Sequence, residues 1–139
     1  VLKLAGALEA GRVREALRRL RRGEWVALFP EGEMRYPGPL GPLREGANWL
    51  ARKAGVPLLP VALRVVLRGY EHPEAFLWVG RPLPPGGDLG RALGGLLQAL
   101  DALLAKTHPR EVPEGFREVL RGRRSLEERV LPLVRLLRP

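Results

Sequence analysis

Apolar positions recur at helical spacing over residues 12–22. Val13, Ala16, Leu17 and Leu20 share one face, and Arg14, Arg18, Arg21 and Arg22 occupy the other. Gly23 closes that helix. Residues 25–29, Trp-Val-Ala-Leu-Phe, form a short unbroken apolar run, the pattern of a strand buried on both faces. Residues 30–43 hold four prolines and three glycines and read as a loop. Helical spacing returns over 44–54 through Ala47, Leu50, Ala51 and Ala54, and stops at Gly55. Apolar runs over 58–67 and 76–79 predict two further strands. A strand, a helix and a second strand in this order predict an α/β unit with parallel pairing.

Residues 82–88 are a Pro/Gly-rich break. Leu89, Ala92, Leu93, Leu96, Leu97, Leu100, Leu103 and Leu104 then mark a long amphipathic helix, best read as cover for the core. A Pro-containing loop over 107–115 and a basic stretch over 116–124 follow. Residues 126–137 predict a last helix, with Ser125 at the N-cap and Glu128 completing a capping box. No repeat is visible, and no apolar run approaches the roughly 18 residues of a membrane span. The first ten residues do not have the layout of a signal peptide.

Composition sharpens this picture in two respects. With 45% apolar residues in a chain of 139, a packed domain is expected rather than a disordered one. Lys plus Arg outnumber Asp plus Glu by 24 to 15, a net charge of +9 that favours anionic partners. The arginines of 12–22 carry no interleaved aromatics, so a nucleic-acid platform is not expected. That face is either simply solvated or a contact for anionic lipid headgroups, and the basic 116–124 stretch beside Leu131, Val134 and Leu137 offers the same two readings. The absence of Cys excludes disulfide and thiolate chemistry. Scarce Asn, Gln and Met fit a heat-adapted source, and a GC-rich genome explains the bias equally well.

The sharpest chemical signal is Phe29-Pro30-Glu31-Gly32, where an expected buried strand ends in a proline, a carboxylate and a glycine. The C-terminal edge of such a strand is where α/β sheets bind ligands. Gly32 permits close approach or positive φ, and Glu31 can accept hydrogen bonds from a hydroxylated ligand. Taken alone, the tetrapeptide reads equally well as a plain turn. Downstream stand Arg44, Gly46 and Ala47, then Val56, Pro57 and Pro60. These three blocks, in this order, resemble the motifs of the glycerolipid acyltransferases, the family containing lysophosphatidic acid acyltransferase. The resemblance covers roughly residues 12–84.

The resemblance implies an α/β fold with a mixed, largely parallel sheet flanked by helices, followed by a helical C-terminal extension. Residues 1–84 would be the C-terminal part of the acyltransferase domain, and 85–139 an extension packing on it. It implies transfer of a fatty acyl group from acyl-CoA or acyl-carrier protein to a hydroxyl of a lysophospholipid, glycerol phosphate-type or glycolipid acceptor, with no cofactor. Glu31, Gly32, Arg35 and Arg44 would bind the acceptor; Arg44 is an anion-binding side chain or a solvated helix-start residue. Phe29, Pro30, Gly46, Val56, Pro57 and Pro60 would be structural motif positions. Where the family has Thr-Arg-Ser, this chain has Glu33, Met34 and Arg35. The family's catalytic His-x-x-x-x-Asp is missing. Leu77 lies five positions after His72 and Pro113 five after His108, so neither histidine fits the motif and neither is expected to be catalytic. Gly6 and Arg12 have the spacing of the family's second motif, but Glu9 and Ala10 replace its apolar pair, and the match reads as coincidence. Loss of an N-terminal portion carrying the base accounts for this, and a lipid-binding pseudoenzyme is the alternative. The family implies a cytoplasmic protein peripheral to the inner face of the cell membrane, with no nucleic-acid partner.

Overall fold

The structure, a computed structural model, describes residues 12–33, 38–123 and 130. Helix α1 runs over Val13–Arg21. Glu15 holds it from its first turn, bonding Arg18 at 2.7 Å and Arg19 at 2.9 Å, the i,i+3 and i,i+4 spacings that align side chains on a helix. Its buried Ala16 faces helix α2, Gly46–Ala54. Helix α2 turns Ala47, Leu50 and Ala51 inward and ends at Gly55, whose φ of 67° supplies the left-handed cap.

Strand β1, Val61–Val66, pairs antiparallel with β2, Glu74–Val79, in the register Val61↔Val79 to Val66↔Glu74. An isolated bridge between Leu58 and Leu83 continues the pairing beyond Pro60 and Gly80. Helix α3, Leu89–Lys106, is capped by Asp88, whose Oδ1 accepts from Arg91 N at 2.9 Å. The same helix turns Leu89, Leu93, Leu97 and Leu100 inward, a stripe at helical spacing. Leu97 and Leu100 meet Ala62 and Phe76 of the hairpin, while Leu89 and Leu93 meet Ala47 of α2. Phe116 closes the first cluster with its ring edge-on to Phe76 and Trp78, each 5.8 Å away. Among the described residues no helix is long and apolar enough to cross a membrane.

Three expectations need correction. The sheet is a two-stranded antiparallel hairpin among the described residues, not a largely parallel sheet. Only residues 67–73 join β1 to β2, and a parallel return needs a crossover of a dozen residues or more. The expected strand over 25–29 joins no ladder; Trp25 is 81% exposed and Phe29 79%. A doubly buried strand takes neighbours on both edges, and among the described residues 25–29 has none. The third strand begins at Glu74 rather than at Phe76. The expected helix over 126–137, with its Ser125 and Glu128 caps, lies outside the described residues apart from Val130.

Alternation along the hairpin separates two faces. Ala62, Val66, Phe76 and Trp78 face α3, whereas Val61, Leu63, Val65, Leu77 and Val79 are exposed. The stability of this arrangement therefore rests on the α3 side. Leu100→Ala, at a position with no exposed surface, is expected to cost about 2–5 kcal/mol in guanidinium unfolding. Leu63→Ala on the open face should stay within about 0.5 kcal/mol of the parent. Equal losses would overturn this division of the two faces.

Candidate functional site

The turn after residues 25–29 and the approach to α2 are tied together by backbone geometry. Gly32 N donates to Phe29 O at 3.0 Å, and Gly32 holds φ at 70°. Arg44 N donates to Pro30 O at 2.7 Å, so the chain returns to its starting point after 14 residues. The Glu31 carboxylate, half-buried, accepts from Gly41 N at 2.7 Å. One of its oxygens is thus committed to shaping the loop, and further lone pairs remain for a ligand.

The Arg44 side chain lies across Gly32. A Cβ built on Gly32 would stand 2.5 Å from Arg44 Nε and 2.7 Å from Cδ. Glycine here serves both the backbone conformation and the passage of the guanidinium. Arg44 is exposed and has no carboxylate partner among the described residues. Beside it opens a cleft of about 470 Å³, lined in part by Leu40, Leu43, Asn48, Gly87 and Asp88. Asn48 Oδ1 is buried there without a hydrogen-bond partner among the described residues. The Arg44 guanidinium is the cationic group of a cleft that Glu45 and Asp88 also line, and a planar fork of this kind suits a ligand with anionic oxygens.

The loop is also tied to the hairpin and to α3. Arg64 donates from Nε to Asp101 Oδ1 at 2.7 Å and from Nη2 to Asp101 Oδ2 at 2.8 Å. Nη2 also reaches Gly38 O at 2.8 Å. The Arg64 hydrogen bond holds the Asp101 carboxyl below its ordinary value, against a smaller opposing effect of burial. Asp101 in turn raises Arg64, and the field of Glu31 adds to the rise.

Three of the four expected acceptor residues, Glu31, Gly32 and Arg44, come together, and Arg35 lies outside the described residues. The structural motif positions fall as follows. Phe29 O and Pro30 O receive the two backbone bonds of the turn. Gly46 opens α2, and Val56 N closes it on Ala51 O at 3.1 Å. Pro57 precedes the Leu58–Leu83 bridge, and buried Pro60 accepts from Gly80 N. The two histidines have other partners. His72 Nε2 lies 3.3 Å from Glu71, and His108 Nδ1 accepts from Arg110 N. Sequence reasoning passed over Asn48, Arg64 and Asp101. A signal for Arg64 was available, because β alternation puts it on the same inward face as Ala62 and Val66. Among the described residues no cluster of three His, Asp or Glu could hold a metal ion.

Residues 6–64 match the family model described as Acyltransferase. Over 98 residues the chain is 32% identical to a 1-acyl-sn-glycerol-3-phosphate acyltransferase of Pseudomonas aeruginosa, covering 63% of this chain and 37% of that protein. It is 36% identical over 84 residues to an N-acylphosphatidylethanolamine synthase of Arabidopsis thaliana, covering 58% of this chain and 28% of that protein. A chloroplastic 1-acyl-sn-glycerol-3-phosphate acyltransferase of Brassica napus is 43% identical over 44 residues, 32% of this chain and 13% of its own. The chain spans between 13% and 37% of the length of these relatives. No solved structure matches it. Over residues 6–64 the chain is thus similar to the acyltransferase family, and lysophosphatidic acid acyltransferases are among the relatives it matches.

The close approach at Gly32 has a measurable consequence. Gly32→Ala is expected to destabilise by about 1–2 kcal/mol, from left-handed strain plus displacement of Arg44. Gly95→Ala, in open space on α3, should stabilise by up to about 1 kcal/mol. Thermal melts of the two variants should therefore move in opposite directions.

Proposed function

We propose that this chain supplies the acceptor-binding part of an enzyme that moves a fatty acyl group onto a hydroxyl of a lysophospholipid or glycerol phosphate-type acceptor. The observation that carries this reading is the Arg44 guanidinium lying across Gly32, free of any carboxylate partner among the described residues and beside the cleft. Arg44 would take the acceptor's phosphate, as a planar fork suited to paired anionic oxygens. Glu31 would take an acceptor hydroxyl on the oxygen lone pairs that Gly41 leaves free. The names of the relatives support a glycerolipid acceptor, and a glycolipid hydroxyl remains within the same chemistry.

The donor in this reading is acyl-CoA or acyl-carrier protein. The acceptor oxygen attacks the thioester carbonyl, the C–S bond breaks, and the thiol leaves. A base must take the hydroxyl proton as the C–O bond forms. In this reading neither His72 nor His108 is that base, because neither has an aspartate five positions on. The base is a histidine outside these 139 residues, paired with an aspartate as in the family motif. Such an enzyme works at the membrane surface, and a net charge of +9 favours the anionic, cytoplasmic face.

Two outcomes test this. The 139-residue chain alone, given acyl-CoA and lysophosphatidic acid, is expected to release no thiol; clear turnover would overturn the placement of the base. Lysophosphatidic acid titrated into the chain, followed by the fluorescence of Trp49 on α2, should show saturable binding. Arg44→Ala should weaken that binding roughly tenfold or more, the effect of losing a charge-assisted hydrogen bond. Unchanged affinity in that variant would sink the acceptor reading.

A further inference from the structure

The loop that carries Glu31 and leads to Arg44 has little means of holding its own shape. Among the described residues, 38–44 belong to no helix or ladder, and Pro39 and Pro42 have no backbone N–H. Among the described residues, five ties hold this stretch in place. Two are local: Gly41 N to Glu31, and Arg44 N to Pro30 O. Two are apolar: Leu40 packs against both core clusters, and Leu43 against the second. The fifth comes from outside the motifs, from Arg64 Nη2 to Gly38 O at 2.8 Å.

Arg64 occupies an inward position on β1, opposite Phe76 in the register. Asp101 on α3 follows the fully buried Leu100, so its backbone is anchored by the core. The carboxylate grips the guanidinium at two points, 2.7 and 2.8 Å, which fixes the plane of the fork. With that plane fixed, Nη2 aims at the Gly38 carbonyl. The fork therefore registers strand, helix and loop against one another. Asp101 is itself half-exposed, and pairs of that kind contribute little to global stability. The leverage of this one is local.

We infer that Arg64 and Asp101 are positioning residues of the acceptor site, bracing the loop so that Arg44 stands over Gly32. The inference rests on the acceptor reading above. It assigns to the pair an effect on ligand affinity larger than its effect on stability. Lysine at 64 cannot substitute, because an ammonium has no fixed fork to divide between a carboxylate and a carbonyl.

The test uses the whole chain with Asp101→Asn and Arg64→Lys, and Arg19→Ala as a remote control that breaks the Glu15 and Glu24 pairs on α1. Amide hydrogen exchange by NMR reads the brace, and titration with lysophosphatidic acid reads the site. In both brace variants the Gly41 and Arg44 amides are expected to exchange roughly tenfold faster, while amides in the middle of α3 keep their rates. Lysophosphatidic acid affinity should fall about five- to tenfold with the melting temperature nearly unchanged. Arg19→Ala should alter none of these. Unaltered Gly41 and Arg44 exchange overturns the brace, and so does unaltered affinity. A fall in affinity matched by general destabilisation overturns the positioning role. Parent protein that ignores the lipid overturns the acceptor reading, and the exchange rates still judge the brace by themselves.

Discussion

Residues 30–43 contain four prolines and three glycines, and among the described residues 30–33 and 38–43 belong to no hydrogen-bonded ladder. Their conformation is imposed by neighbours, and the tie that closes the stretch is Arg44 N to Pro30 O at 2.7 Å. That bond returns the chain to its own starting point. It brings the start of α2 beside the turn at Gly32, and the Arg44 side chain then crosses a space that only glycine leaves open. Glu31 adds a second tie by accepting from Gly41, at the cost of part of its capacity for a ligand.

Packing around that loop is one-sided. The leucine stripe of α3 covers one face of the β1–β2 hairpin and reaches α2 at its N-terminal end, with Leu40 serving both clusters. Apolar residues on the other face, Val65, Leu77 and Val79 among them, stay exposed, as do Trp25 and Phe29. Apolar surface on this scale marks a place where a soluble domain ordinarily meets another layer. The packed side of the molecule is the side that carries the Arg64–Asp101 pair and the 38–44 loop.

The division of labour within the site follows from this layout. Motif residues sit on the turn and at the helix start, where backbone atoms do most of the holding. Residues outside the motifs, Arg64 and Asp101, connect that loop to the core through side chains. The first group was singled out by resemblance to family motifs, whereas Arg64 and Asp101 are brought together by the fold.

By itself the sequence determined the helices and singled out the candidate site residues. Helices α1, α2 and α3 were legible because each carries apolar residues at helical spacing and ends at a recognisable cap or break, such as Gly55. Glu31, Gly32 and Arg44 were legible because their motif blocks keep a fixed order. Pairing direction was not legible, since a mostly apolar run such as 58–67, broken only by Arg64, reads the same in a parallel or an antiparallel sheet. The tertiary structure decided it through the short 67–73 connection. It also decided that residues 25–29 stay unpaired among the described residues, because a ladder needs a partner strand that local sequence does not contain. Arg64 and Asp101 are 37 residues apart, and only folding brings them within hydrogen-bonding range. Local periodicity encodes burial, whereas contacts between distant side chains are set by how the packed elements register against one another.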